Sequence, residues 1–119
     1  MTKLIIAGGR TLWIGNDEID AKIRHFMWWK PDTIVSGGAP GADKSGENYA
    51  ALHGLQLVKF LPRYDRYPPR EAPKYRNIEM AEYADALLAF WDGISGGTAH
   101  MIAYMTYLDK PCYVVKAGL

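Results

Sequence analysis

The sequence predicts an α/β fold in three layers: a parallel sheet of about five strands with helices on both faces. Three observations predict it. Short apolar runs alternate along the chain with stretches whose apolar residues recur at helical spacing. The apolar runs are nearly continuous, as in strands covered on both sides. Three of them also pass directly into glycine-rich loops.

Leu4-Ile5-Ile6-Ala7 reads as the first strand and ends in Gly8-Gly9. A helix is expected over 17–29, with Ile19, Ile23, Phe26 and Met27 on one face and Asn16 or Asp17 as its cap. Thr33-Ile34-Val35 is the second strand and ends in Gly37-Gly38. A second helix over 41–53 turns Ala42, Tyr49 and Ala50 one way, and Gly54 stops it. The third strand runs from Gln56 to Leu61. Pro62, Pro68, Pro69 and Pro73 make 62–73 a loop. A third helix is expected over 74–83, a strand from Asp85 to Trp91, a glycine loop over 92–97 and a fourth helix from Thr98 to Leu108. The last strand is Cys112 to Val115, after Pro111. The order is that of a Rossmann-like sheet, and the reading is of a single domain over 1–119.

Composition bounds the function. The 119 residues are 49% hydrophobic and 23% charged, enough for a packed core. A net charge of +1 gives no electrostatic case for duplex nucleic acid. The lone Cys112 excludes an internal disulfide and a cysteine metal cage, and suits a reducing compartment. The N-terminal apolar run is short for a signal peptide, and no stretch approaches the ~18 apolar residues of a membrane span. A cytoplasmic protein without a membrane partner is expected.

In an open parallel sheet, ligands bind beyond the carboxyl ends of the strands, so the three glycine loops should converge on one edge. Gly8, Gly9 and Arg10 form the first loop. Glycine lets the backbone approach a ligand, and the arginine fork suits phosphate or carboxylate. The second is Ser36-Gly37-Gly38-Ala39-Pro40-Gly41-Ala42-Asp43, which opens a helix whose first N–H groups lack partners. It is neither a Walker A loop nor a G-x-G-x-x-G fingerprint. Asp43 would either accept a ribose hydroxyl or only stabilise its helix start. The third, Asp92-Gly93-Ile94-Ser95-Gly96-Gly97-Thr98, offers backbone N–H groups and two hydroxyls to a phosphate. Arg76, near a helix start where a cation opposes the dipole, points to a ligand phosphate; a surface pair with Glu79 is the alternative. Trp91 ends its strand beside the site, where it would stack on a base or pack. Trp28 and Trp29 would end the first helix in core or subunit contact. His25, His53 and His100 lack metal-ligand spacing. The fourth helix is apolar nearly all round, with Ile102, Ala103 and Thr106 on one side. It is therefore expected to carry a homodimer contact.

With Gly8-Gly9-Arg10, Ser36 to Asp43, Arg76-Asn77-Ile78-Glu79-Met80, Ala84-Asp85-Ala86 and Trp91 to Thr98 in this order, the chain resembles the SLOG superfamily over nearly its whole length. That group includes the Lonely Guy phosphoribohydrolases and the DprA-type DNA-processing proteins. The resemblance is nearest to its small YpsA-related branch, common in bacteria and phages. It implies a nucleotide-type ligand at the loop edge. The phosphoribohydrolases carry Arg-x-x-x-Met and then Pro-Gly-Gly-x-Gly-Thr-x-x-Glu. Arg76 and Met80 match the first pattern, and Gly97 and Thr98 match part of the second. Trp91-Asp92-Gly93 replaces the Pro-Gly-Gly lead-in, and Met101 stands where the catalytic glutamate would be. Cleavage of a glycosidic bond needs a carboxylate, and a thioether cannot serve.

The expected ligand set is therefore Gly8, Gly9, Arg10, Ser36, Gly37, Gly38, Gly41, Asp43, Arg76, Asp92, Ser95, Gly96, Gly97 and Thr98, with no metal ligand and no cofactor beyond a nucleotide. The expected function is a module that senses or sequesters a nucleoside phosphate or an ADP-ribose- or NAD-like molecule. The competing expectations are an N-glycosidase, with Asp92, Asp43 or Glu79 as the substitute carboxylate, and DprA-like binding of single-stranded DNA.

Overall fold

The computed structural model describes residues 2–117. Five strands and four helices alternate: β1 (Lys3–Gly8), α1 (Asn16–Phe26), β2 (Thr33–Ser36), α2 (Ala42–His53), β3 (Gln56–Lys59), α3 (Ala72–Tyr83), β4 (Ala86–Trp91), α4 (Gly96–Tyr107) and β5 (Cys112–Lys116). All strands pair in parallel in the order β3-β2-β1-β4-β5. The fold is α/β and Rossmann-like.

Side chains alternate across β1 and divide the core. Leu4 and Ile6 face Ile19 and Ile23 of α1 and Tyr49 and Ala50 of α2. Ile5 and Ala7 face Met80 and Ala81 of α3 and Met101 and Met105 of α4. Right-handed crossovers require this division. The chain steps outward from β1 to β3 with its helices on one face. It then crosses back to β4 with its helices on the other. The reversal leaves a crevice between β1 and β4 at their carboxyl ends. At the opposite edge, the Asp85 carboxylate accepts the Lys3 N–H at 2.8 Å and ties the starts of these two strands together. Lys110 donates to the carbonyls of Ala81, Glu82 and Ala84, holding the end of α3.

Several boundaries differ from the sequence reading, each for a local reason. Helix α1 stops at Phe26 and not at residue 29, because the chain must extend into β2: the N–H groups of Asp32 and Thr33 both bond to the Thr2 carbonyl. Its cap is Gly15; neither Asn16 nor Asp17 caps it with a side chain. Trp29 packs partly on the core, whereas Trp28, expected in core or subunit contact, is 94% exposed in the chain. Helix α3 starts at Ala72, since Pro73 falls in its first turn, where a missing N–H costs nothing. Helix α4 begins at Gly96, so two glycines assigned to the loop belong to its first turn. The edge strand β3 ends at Lys59 and leaves Gln56, Leu57 and Lys59 exposed, unlike the nearly all-buried β1 and β2. Helix α4 is covered on one side only. Met101 and Met105 are buried, while Ala103 and Thr106 face outward.

Candidate functional site

Parallel strands carry all three glycine loops to one edge, and residues from each border a single cavity of about 310 Å³. Gly8 ends β1 and Arg10 follows it, Ala39 comes from the loop into α2 and Asp43 from the first turn of that helix, and Ser95, Gly97 and Thr98 come from the start of α4. Helix α3 adds Pro73, Arg76, Asn77 and Met80. Met101 of α4 also borders the cavity.

The remaining expected ligand residues do not border it; most of them shape the loops that do. Gly9 accepts the N–H of Leu12 and of Ala42 through its carbonyl, tying the first loop to the start of α2. Gly41 has φ +78°, and a Cβ there would strike the carbonyl oxygens of Gly9 and Arg10. Ser36 is fully buried. Its hydroxyl donates to Glu47 Oε2 at 2.7 Å and accepts the N–H of Gly38 at 3.0 Å. Gly37 carries no side chain because a Cβ would lie 2.6 Å from the Arg76 guanidinium and 2.9 Å from Asp43 Oδ2. Asp92 accepts the N–H groups of Ile94 and Ser95 through Oδ1, which shapes the loop and holds its pKa below the usual carboxylate range. Gly96 is exposed in the first turn of α4. Trp91 turns its indole N–H onto the Ser95 carbonyl at 3.1 Å and anchors the same turn.

Arg76 connects the parts. Its Nη1 donates to the Gly37 carbonyl and its Nε to Asn77 Oδ1 at 2.9 Å. That bond orients the Asn77 amide, whose nitrogen reaches the Gly97 carbonyl and lies 3.4 Å from His100 Nδ1. An amide N–H facing that ring nitrogen suits a neutral imidazole, and burial followed by the charge of Lys74 lowers the His100 pKa. The expected alternative partner of Arg76 is otherwise engaged: Glu79 sits 3.9 Å from Arg63. Among the described residues, no carboxylate lies within 4.0 Å of the Arg76 guanidinium. Burial lowers its pKa, against the stabilising charge of Asp43.

Asp43 is 7% exposed. Its Oδ2 accepts the Ala39 N–H at 3.2 Å. Burial pushes its pKa from 3.8 to about 6, against the pull of that N–H and of Arg76. The cavity thus combines two arginines, the first turn of a helix and a carboxyl whose pKa burial raises to about 6. From the sequence, Asn77 and Ala39 enter only as parts of longer motifs, and neither has a place in the expected ligand set. Neither residue type advertises chemistry, and no spacing rule relates Asn77 to Gly97. Among the described residues, no group of three or more His, Cys, Asp or Glu could hold a metal ion, and no helix is long and apolar enough to cross a membrane.

Fold and site together define an open α/β fold with a crevice at its topological switch point, bordered by Arg10, Asp43 and Arg76 and by apolar Met80 and Met101. No family model matches the chain, and no curated protein or solved structure matches it.

Proposed function

We propose that this protein is a cytoplasmic, SLOG-like module that binds a nucleotide or a nucleotide-derived phosphorylated ligand and senses or sequesters it. The supporting observation is that Arg10 and Arg76 border the same cavity as Ser95, Gly97 and Thr98 at the start of α4. Free N–H groups, a helix dipole and two guanidinium groups around one space suit a phosphate. Asp43, which borders the same cavity, suits a ribose hydroxyl.

Calorimetric titration with AMP, ADP, NAD and ADP-ribose tests the reading. Saturable binding of an intact ligand is expected. Arg76→Ala weakens it roughly tenfold or more, the usual effect of losing a charge-assisted hydrogen bond. Gly97→Asp abolishes it without unfolding the chain. Nothing lies within 4 Å of a Cβ at Gly97, and a carboxylate suits a helix start. Binding that ignores Gly97→Asp, or no binding across the series, overturns the reading.

One observation favours a second reading, an N-glycosidase. Asp43 is the one carboxyl of the expected three that borders the cavity, and a pKa of about 6 suits a general acid. Chromatography of the titrated mixtures decides: free base or nicotinamide means turnover. We also propose a homodimer contact through the outward side of α4, where Ala103, Thr106 and Tyr107 are exposed. A monomeric sedimentation profile at high concentration excludes it.

A further inference from the structure

The charge of the chain is unevenly spread. The segment from Leu61 to Arg76 holds five cations, Arg63, Arg66, Arg70, Lys74 and Arg76, and two anions, Asp65 and Glu71. Its net charge of +3 exceeds the +1 of the whole chain, so the remainder carries −2. The segment is ordered by two consecutive turns. The N–H groups of Arg66 and Tyr67 bond to the Arg63 carbonyl, and those of Glu71 and Ala72 to the Pro68 carbonyl. Tyr67 stacks on Tyr75 with ring centroids 4.0 Å apart. Arg63, Arg66 and Arg70 are exposed. Among the described residues, Arg63 alone of these three has an ion-pair contact, and it is loose, at 3.9 Å.

This segment adjoins the mouth of the cavity. Leu61 packs against Gly38, in the second glycine loop. Tyr64 lies near enough to Arg76 to act on its charge, and Pro73 and Arg76 border the cavity itself. Cations therefore run from the border of the cavity, at the exposed Arg10 and the part-buried Arg76, onto the exposed loop beside it. The cavity, of about 310 Å³, lies at the small end of ligand sites, and the loop that adjoins it adds exposed positive charge outside it.

We infer that the pocket and the Arg63–Arg70 loop form one site for a ligand bearing a chain of phosphates, a nucleoside oligophosphate and not a monophosphate. This rests on the nucleotide reading of the pocket. Arg10, Arg76 and the start of α4 take the proximal phosphate. Arg63, Arg66 and Arg70 take the distal ones and set the preference for chain length. Exposed arginines each add little, but three facing one polyanion add together, and their contribution falls with salt.

The test uses inorganic phosphate, pyrophosphate and tripolyphosphate in metal-free buffer, with AMP and ATP beside them. Tripolyphosphate is expected to bind roughly tenfold or more tightly than phosphate, and ATP likewise against AMP. The triple variant Arg63→Gln, Arg66→Gln, Arg70→Gln should bring both series to within about twofold and leave phosphate and AMP binding unchanged. A flat series in the unaltered protein, or an equally steep one in the variant, overturns the inference. If AMP and ATP bind equally, the inference falls while the nucleotide reading stands. If tripolyphosphate binds but AMP does not, and Gly97→Asp has no effect, both fall. A single strand of about 12 nucleotides that displaces tripolyphosphate and binds tighter assigns the loop to nucleic acid and also overturns it.

Discussion

Gly41→Ala is expected to destabilise the protein by about 3 kcal/mol or more, lowering its melting temperature by roughly 10 °C. Two costs combine. Gly41 has φ +78° and ψ −125°, a conformation that an L side chain resists. Its Cβ would also meet the carbonyl groups of Gly9 and Arg10, and backbone cannot swing aside as a flexible side chain can. The contact is what brings the first loop against the second, with Ala42 N–H bonded to the Gly9 carbonyl at 3.2 Å. Gly93→Ala is the control. Its φ is +85°, but nothing lies within 4 Å, so only the conformational cost of about 1–2 kcal/mol applies. Denaturant unfolding of both variants measures the difference. Equal losses would mean that the loops do not pack as closely as described.

Asp43→Asn is expected to stabilise the protein at pH 8 by about 3 kcal/mol and to change little at pH 4. The Asp43 pKa is raised from 3.8 to about 6 by burial. The folded chain therefore retains a proton that the unfolded chain releases between these values. The stability this proton provides is complete below pH 4 and is lost as pH rises through 6. A change from 3.8 to about 6 corresponds to about 3 kcal/mol. Glu47 works in the opposite sense but lower on the scale: its pKa lies below 4.5, so its contribution is present above 4.5 and lost on acidification. The difference between Asp43→Asn and the unaltered protein isolates the first effect. It should grow from near zero at pH 4 to its full value by pH 8, and a difference independent of pH would refute the assignment. A carboxylate kept in a cavity at such a cost to stability belongs with the functional reading of that cavity.

Much of the site was legible because parallel strands leave little choice. Each strand ends at the same edge, so loops that follow Ala7, Val35 and Trp91 must meet there. The alternation of Leu4, Ile5, Ile6 and Ala7 between two cores follows from the pleat alone. Arg76 was named from the sequence as a cation at a helix start, but α3 begins at Ala72, so Arg76 lies past the first turn and the dipole argument does not account for its place in the site. What could not be read was the division of labour among the glycines. Gly97 borders the cavity with nothing against it, Gly8 borders it and also makes room for the Phe90 carbonyl, and Gly37 and Gly41 only make room, for an arginine and for a neighbouring backbone. All four occur in similar strand-to-helix contexts, and spacing does not separate them. Pro73 misled because proline suits both a loop and a first helical turn, and only the packing of α3 selects the second.

The sequence by itself determined the alternation of strands and helices, the shared edge of the three loops and the presence of Arg10, Arg76 and Asp43 among them. These follow from local periodicity and chain direction. Only the tertiary structure decided that Arg76 bonds to Gly37, 39 residues away, that Asp43 is buried and holds its proton to about pH 6, and that the α4 side bearing Ala103 and Thr106 faces outward. Each of those depends on which distant segments touch. Burial and through-space charge follow from that proximity, and a residue's neighbours along the chain do not carry it.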